Sequence, residues 1–470
     1  MSTTAFGTGR ILKLAALFVL FFGLWFTPVP EGLTRESWHL FAIFASAIFS
    51  VVLNIFPLFT SSLVAVAVVV LTGTLTPAKA YGAFANNIVL LVVTAFLVSQ
   101  SVVKSGLGKR ISLLVVSVFG KSTLGLAYSI FITDTLIAPG FPSNTARGGV
   151  LFPVILALAN NGGSTPDDDK TRRFGGYLMF CGMASLAITS ALWFTATSGN
   201  PVGASLAAEQ GLKIDFGSWL LASSVPCLVV IAVLPALLYR LYPPGITATP
   251  EAPARAREEL RTMGPMSRHE KITAITFIIM ITGWVLAAPY NLNGTAIAIA
   301  GLATLMITGV LRLDDMSEQG GTLVTFIWLA ILFGMSGQLN EMGFMGYVGE
   351  RMAVGLEGLA WPVAYVALLT AYVFLHFGFV SQNAQVLALL GVFLDVGVKS
   401  GVPVALMAYA LLFASSYFSV ITPQGGSQNI IFVASGYLKQ GELYRLGMLT
   451  TLFCLLVFLV IGTPWILWVG

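Results

Sequence analysis

Phe141-Pro142-Ser143-Asn144-Thr145-Ala146-Arg147-Gly148-Gly149 is a polar stretch embedded in long Leu, Val, Ala and Phe runs. A second such stretch, Ser381-Gln382-Asn383-Ala384-Gln385, follows 238 residues after the first, about half the chain further on. Unpaired polar groups cost several kcal/mol each in lipid. Two clusters at matching places in an apolar chain therefore imply that something polar is held between them.

The apolar context is general. Of 470 residues, 57% are hydrophobic and only 9% are charged, against about 25% charged in soluble domains. A water-soluble fold is excluded on that ground. Apolar runs recur at 14–26 with its flanks, 62–75, 219–241, 272–288, 295–311 and 449–469. The window rule gives roughly ten to twelve runs of bilayer-crossing length. The expected fold class is an all-α, polytopic integral membrane protein.

Charge distribution orients the chain. Net charge is +4, with Arg10 and Lys13 before the first run and Lys104, Lys109 and Arg110 in a later loop. Arg255, Arg257, Arg261, Arg268 and Lys271 crowd the middle of the chain. The positive-inside rule places the N-terminus and that central loop in the cytoplasm, with the protein in a bacterial-type plasma (inner) membrane. The first run reads as a retained span, because no small-residue cleavage site follows it. Cys181, Cys227 and Cys454 are scattered in apolar surroundings and read as packing residues. They show no zinc spacing and suggest no disulfide. His39, His269 and His376 are equally dispersed, so no cofactor site is expected apart from a sodium ion. Nothing suggests a nucleic-acid partner.

Residues 242–271, rich in Pro, Ala, Arg and Glu, read as a cytoplasmic linker between a first membrane half, 1–241, and a second, 272–470. A short surface helix is expected over 252–261. The halves resemble each other. Ser99 to Gly108 and Ser336 to Met345 both end apolar runs, and Gly106 and Gly343 lie 237 residues apart. Each half also carries a later polar break, at 195–201 and 422–427. Matching Thr197 with Thr422 leaves a surplus of 13 residues in the first half, about the length of its charged loop 160–173. Paired halves with Gly- and Pro-interrupted segments are the sequence pointer to a transporter binding site.

The chemistry of the clusters supports this. Gly140 and Pro142 break a helix, and a new helix resumes at Ala146. Ser143, Asn144 and Thr145 thus sit at a hairpin tip and a helix N-terminus, where free N–H groups and the dipole favour a carboxylate. Ser381, Gln382 and Asn383 play the same part in the second half. The breaks bring Thr197, Asn200, Thr422 and Pro423 toward the tips, as unwound points in two spanning helices. Asp134 and Asp395 are the clearest carboxylates in apolar surroundings. Asp134 reads either as a functional group or as a cap near the membrane surface.

Pro142-Ser143-Asn144-Thr145-Ala146-Arg147-Gly148-Gly149, with Ser381-x-x-Ala384 and Thr422-Pro423, resembles the divalent anion:sodium symporter superfamily over 10–470. The resemblance implies two inverted repeats, each with a re-entrant hairpin and a broken helix, a homodimer and an elevator-type movement. It also implies that the tips bind substrate carboxylates and sodium. Ser143, Asn144 and Thr145 match the first family motif; in the second only Ser381 does, with Gln382 and Asn383 departing from it. Sodium is expected near Ser143, Asn144, Gly199, Asn383 and Gly425. Ala146-Arg147 resembles the exchanger branch, which includes 2-oxoglutarate/malate translocators and citrate/succinate antiporters. Arg147 lies four residues after Ser143 and Gln385 four after Ser381, so both are expected on the tip face of their helices. A fixed Arg147 charge facing a dianion predicts exchange of small organic dianions. The alternatives are a sodium-coupled dicarboxylate or sulfate symporter, an anion channel and an intramembrane enzyme. The last is disfavoured: the chain has no His-Glu-x-x-His motif, no paired intramembrane aspartates and no Ser with a plausible His partner.

Overall fold

A computed structural model describes residues 8–317, 320–356, 358–379 and 381–470. Among the described residues there is no β-strand, only an isolated bridge between Ser122 and Ala248. The apolar runs become helices whose ends are set by short polar signals. Phe216–Leu241 and Arg268–Val285 start at capping boxes, Asp215 with Ser218 and Ser267 with Glu270. Asn86 caps Asn87–Ser105. Gly106 and Gly343 adopt φ of 82° and 79°. Each sits where one helix turns into the next, Asn87–Ser105 into Leu107–Phe119 and Gly320–Glu341 into Phe344–Val354. A side chain there would meet the left-handed steric penalty.

Seven helices among the described residues are long and apolar enough to cross a bilayer. That is fewer than the ten to twelve runs expected. The runs at 62–75 and 295–311 form the 14-residue helices Leu58–Leu71 and Gly294–Ile307, each about 21 Å long at 1.5 Å per residue. Both stop short of their apolar runs because Gly73 and Gly309 turn the chain with positive φ.

Two helices form the centre. Arg172–Leu192 is buried along its whole length, and Val404–Tyr417 nearly so. Small residues allow this: Gly175, Gly176, Gly182, Ala184 and Ala187 line the first. The two pack on each other, and each is flanked by a helical hairpin. The first hairpin is Thr123–Ile137 and Asn144–Asn161; the second begins with Trp361–Leu375 and returns through Gln382–Gln385, a π-turn and Gly391–Lys399. The outer helices are exchanged between halves. Asn87–Ser105 packs on Gly294–Ile307, and Leu58–Leu71 packs on Gly320–Glu341. The outer faces expose large apolar side chains such as Val64, Leu71, Ile278, Ile279 and Ile307. Exposed apolar area on that scale is suited to lipid.

The segment 242–271 is bound closely to the first half. Its helix, Ala252–Met263, lies against Leu107–Phe119. Thr249 bonds to the carbonyls of Lys121 and Gly120 at 3.0 and 2.7 Å. Arg110 reaches Glu270 at 2.5 Å and the Gly264 carbonyl at 3.0 Å, and both ionic side chains are buried.

Candidate functional site

Each hairpin turns through a one-turn 3₁₀ segment, Ala138–Gly140 or His376–Gly378, into an extended serine. Ser143 has φ −143° and accepts from the Ala146 N–H at 3.2 Å; Ser381 has φ −153° and accepts from the Ala384 N–H at 3.4 Å. Both serines are therefore N-caps: each satisfies one first-turn N–H of the helix it opens, and the other N–H groups of that turn have no partner within the helix. Val380, which precedes Ser381, lies outside the described residues. The turn of the first hairpin requires Gly140. A Cβ there would overlap the ring of Phe277 from Arg268–Val285.

The tips meet. Asn144 Nδ2 donates to Gln382 Oε1 at 3.3 Å. Thr145 Oγ1 lies 2.7 Å from Ser427 Oγ, and Asn383 Nδ2 donates to Ser198 Oγ at 3.0 Å. The last two contacts are crossed: each tip engages the break of the other half's central helix. Together they border a cavity of about 480 Å³, lined by 142–146, Thr197, Ser198, 381–383 and Ser427. Phe96, Gln100, Thr322, Thr325 and Trp328 close its other side. Its volume lies within the usual range for small-molecule sites. A groove of about 560 Å³ lies between Leu107–Phe119, Asn144–Asn161 and the central linker helix. Its walls are chiefly Val, Leu, Ala and Pro, with Lys109 and Glu259 paired at its edge. It offers no converging donors, so the smaller polar cavity is the candidate site.

The structure places Ser143, Asn144, Thr145, Thr197, Ser381, Gln382 and Asn383 on that cavity. It places Arg147 beneath the first tip instead, with no exposed surface. Arg147 Nη1 pairs with Asp134 Oδ1 at 2.9 Å and contacts Thr189 Oγ1 at 2.5 Å. Nη2 donates to Asn144 Oδ1 at 2.6 Å, Ser190 Oγ at 2.5 Å and the Leu186 carbonyl at 3.1 Å. The expected fixed charge facing the ligand is thus corrected. A carboxylate already neutralises the guanidinium, because a buried cation without a partner would be very costly. Asp134 is that partner, and it is equally buried, so the surface-cap reading fails.

Gln385 is buried in the same way. Its Nε2 donates to the Tyr372 carbonyl at 2.7 Å, and its Oε1 lies 2.7 Å from His376 Nδ1. The other ring nitrogen of His376 lies 2.7 Å from the Gly425 carbonyl. The Tyr372 hydroxyl lies 2.8 Å from Ser415 Oγ, much as Asp134 accepts from Thr189 at 2.6 Å. Tyr372 stands 238 residues after Asp134 and Gln385 stands 238 after Arg147. The support under the first tip is an ion pair; under the second it is a Tyr, Gln and His network with an oxygen facing each ring nitrogen of His376.

The breaks share a bonding pattern. Asn200 Nδ2 donates to the carbonyls of Ser190 and Trp193 at 2.7 and 3.1 Å. Asn429 Nδ2 donates to those of Ser419 and Thr422 at 2.7 and 3.0 Å. In both cases one asparagine satisfies carbonyls ten and seven residues earlier, holding the unwound turn together without lipid-exposed backbone. This pairs Asn200 with Asn429 and Trp193 with Thr422, so matching Thr197 to Thr422 is four residues out of register. Asn200, Thr422 and Pro423 do not line the cavity, and the side chain that the second break supplies is Ser427, which the sequence reading missed. The signal that would have found it is the shared Asn. Ser198 lies two residues before Asn200 and Ser427 two before Asn429. Asp395 is also away from the cavity, 2.8 Å from Lys399.

The chain is similar to known proteins. A family model described as "Sodium:sulfate symporter transmembrane region" matches residues 8–470. The chain is 37% identical to the Bacillus subtilis (strain 168) protein named "Putative malate transporter YflS", covering 94% of this chain and 93% of that one. It is 35% identical to "Dicarboxylate transporter 2, chloroplastic" of Spinacia oleracea, over 93% of this chain and 78% of the relative. It is 32% identical to the "Citrate/succinate antiporter" of Escherichia coli (strain K12), over 97% and 98% respectively. Among solved structures, Neisseria gonorrhoeae MtrF superposes with a TM-score of 0.59 at 13% identity, over 98% of this chain and 95% of that one. That match speaks to fold alone.

Proposed function

The chain belongs to the sodium:sulfate symporter transmembrane-region family, and from that membership and the two-tip cavity we propose that it exchanges small di- and tricarboxylate anions across the membrane. It is a multi-pass membrane transporter and not an enzyme. The observation that carries the substrate class is the convergence of the two serine-capped helix N-termini and of Asn144 and Thr145 on one cavity. Helix N-termini and hydroxyl or amide donors suit carboxylate oxygens. Relatives named for malate, dicarboxylates and citrate/succinate point to the same class.

The family description implies sodium. A hard cation needs several free oxygen ligands. Asn144 Oδ1 is already engaged by Arg147 and by Ser190 Oγ at 2.6 Å each, and the Gly425 carbonyl is engaged by His376. Asn383 Oδ1, beside Gly199, is buried without a partner, but one free oxygen there does not make a coordination shell. Thr422 Oγ1, beside Gly425, is likewise buried without a partner; the Asn144 side chain offers a cation no free oxygen, and no transport step is routed through sodium. The Arg147–Asp134 pair is net neutral and lends the anion no charge, so the exchange reading rests on the relative named as a citrate/succinate antiporter.

The same reading includes an elevator-type movement of the hairpin-bearing centre, inverted repeats and a homodimer. It also includes a bacterial-type inner-membrane location with the N-terminus and the arginine-rich segment 242–271 on the cytoplasmic side. The test is uptake of labelled dicarboxylate into proteoliposomes that are empty or preloaded with unlabelled dicarboxylate. Uptake confined to preloaded vesicles supports exchange; equal uptake into empty vesicles points to a channel.

A further inference from the structure

The two tips offer the cavity opposite hydrogen-bonding atoms from equivalent positions. Asn144 and Gln382 each follow the capping serine of their tip. The orientation of each amide follows from its partners. Arg147 Nη2 donates to Asn144 Oδ1 at 2.6 Å. A guanidinium can only donate, so the oxygen of Asn144 must point down to it and the NH₂ group must point into the cavity. Ser190 Oγ, also 2.6 Å from Oδ1, fits the same arrangement. Gln382 is pinned the other way. Its Nε2 donates to the carbonyls of Ser415 and Ser416 at 3.0 and 3.2 Å. Carbonyls can only accept, so the NH₂ of Gln382 must face them and Oε1 must face the cavity. There it accepts from Asn144 Nδ2, at 3.3 Å.

A ligand entering between the tips replaces that amide–amide contact. A carboxylate oxygen satisfies Asn144 Nδ2. The same oxygen would repel Gln382 Oε1, since both are acceptors. A ligand that fills both positions brings an acceptor to the first tip and a donor to the second. Resting on the dicarboxylate reading above, we propose that Gln382 Oε1 is the specificity element for a hydroxyl group, so that the preferred substrates are hydroxydicarboxylates with the hydroxyl beside a carboxylate. A plain dicarboxylate leaves Oε1 desolvated and unpaired, the costly case for a buried acceptor.

L-Malate and succinate differ by that hydroxyl alone and are the probes. Their dissociation constants are measured on the purified full-length protein, by calorimetry, at pH 8 and at pH 5. At pH 8 both acids are fully ionised. The expected result is a preference for L-malate of roughly tenfold or more at pH 8, the size of an unmet buried hydrogen bond. In Gln382→Met, which keeps the length and loses the acceptor, the malate-to-succinate ratio falls toward one. Equal affinities in the wild-type protein at pH 8 overturn the proposal, as does an unchanged ratio in Gln382→Met. The wild-type ratio tests the proposal even if the variant does not fold. Succinate that binds as well as malate only at pH 5 assigns Oε1 to a protonated carboxyl and also overturns it. Equal binding leaves the dicarboxylate transport reading standing; no binding of either anion removes both.

Discussion

Removing the Arg147 guanidinium leaves the Asp134 carboxylate in a site that water does not reach. Breaking a buried pair by deleting one partner costs about 3–5 kcal/mol. Arg147→Ala is therefore expected to lose folded protein, seen as a collapse of the monodisperse peak in detergent. Asp134→Asn with Arg147→Gln removes both charges and should recover the peak and measurable exchange. A double variant that folds but binds no anion would mean that the guanidinium acts on the ligand directly. Asn144 is the contrasting case. Its amide faces the cavity, and Asn144→Ala should weaken dicarboxylate binding by roughly ten- to hundredfold, as expected for a hydrogen bond to a charged group. Insertion and melting temperature should change little, and near-normal binding would place the anion elsewhere. At this scale the sequence marked the tip residues well, because Ser, Asn, Thr and Gln in an apolar run have few other reasons to be there. It misjudged Arg147 because a spacing of four residues gives a helix face but not what lies opposite. The opposing group, Asp134, stands on the other arm of the hairpin.

The helices depend on close contacts that a single methyl group would break. Gly447, in Gln440–Val457, packs on the Val420 carbonyl at the edge of the second break. A Cβ there would lie inside the van der Waals radius of that oxygen, and neither backbone can move far. Gly447→Ala should destabilise the protein by about 1–3 kcal/mol and lower its melting temperature, whereas Gly441→Ala, with open space around it, should not. Equal melting temperatures for the two variants would refute this packing account. The helices begin before the apolar runs read at 219–241 and 272–288, because the polar caps Asp215 and Ser267 set their starts. The break register was less legible. The bonds that define it run from Asn200 and Asn429 back to carbonyls ten and seven residues earlier, a pattern outside any apolar period.

Across the whole molecule, the two tips and the two breaks meet because each half's hairpin reaches the other half's central helix. Spacing alone foretold this meeting, since Ser143 and Ser381 stand 238 residues apart. What spacing could not show is the difference between the supports under the tips, an ion pair in one half and a Tyr, Gln and His network in the other. The ion pair is net neutral and lends the anion no charge, and the Asn144 side chain has no oxygen left for sodium. The most direct measurement is labelled-dicarboxylate uptake into proteoliposomes with an inward sodium gradient, compared for empty vesicles and vesicles preloaded with unlabelled dicarboxylate. Exchange predicts uptake that requires internal dicarboxylate and is indifferent to sodium. Uptake into empty vesicles that rises with the sodium gradient and is not stimulated by internal dicarboxylate would contradict it.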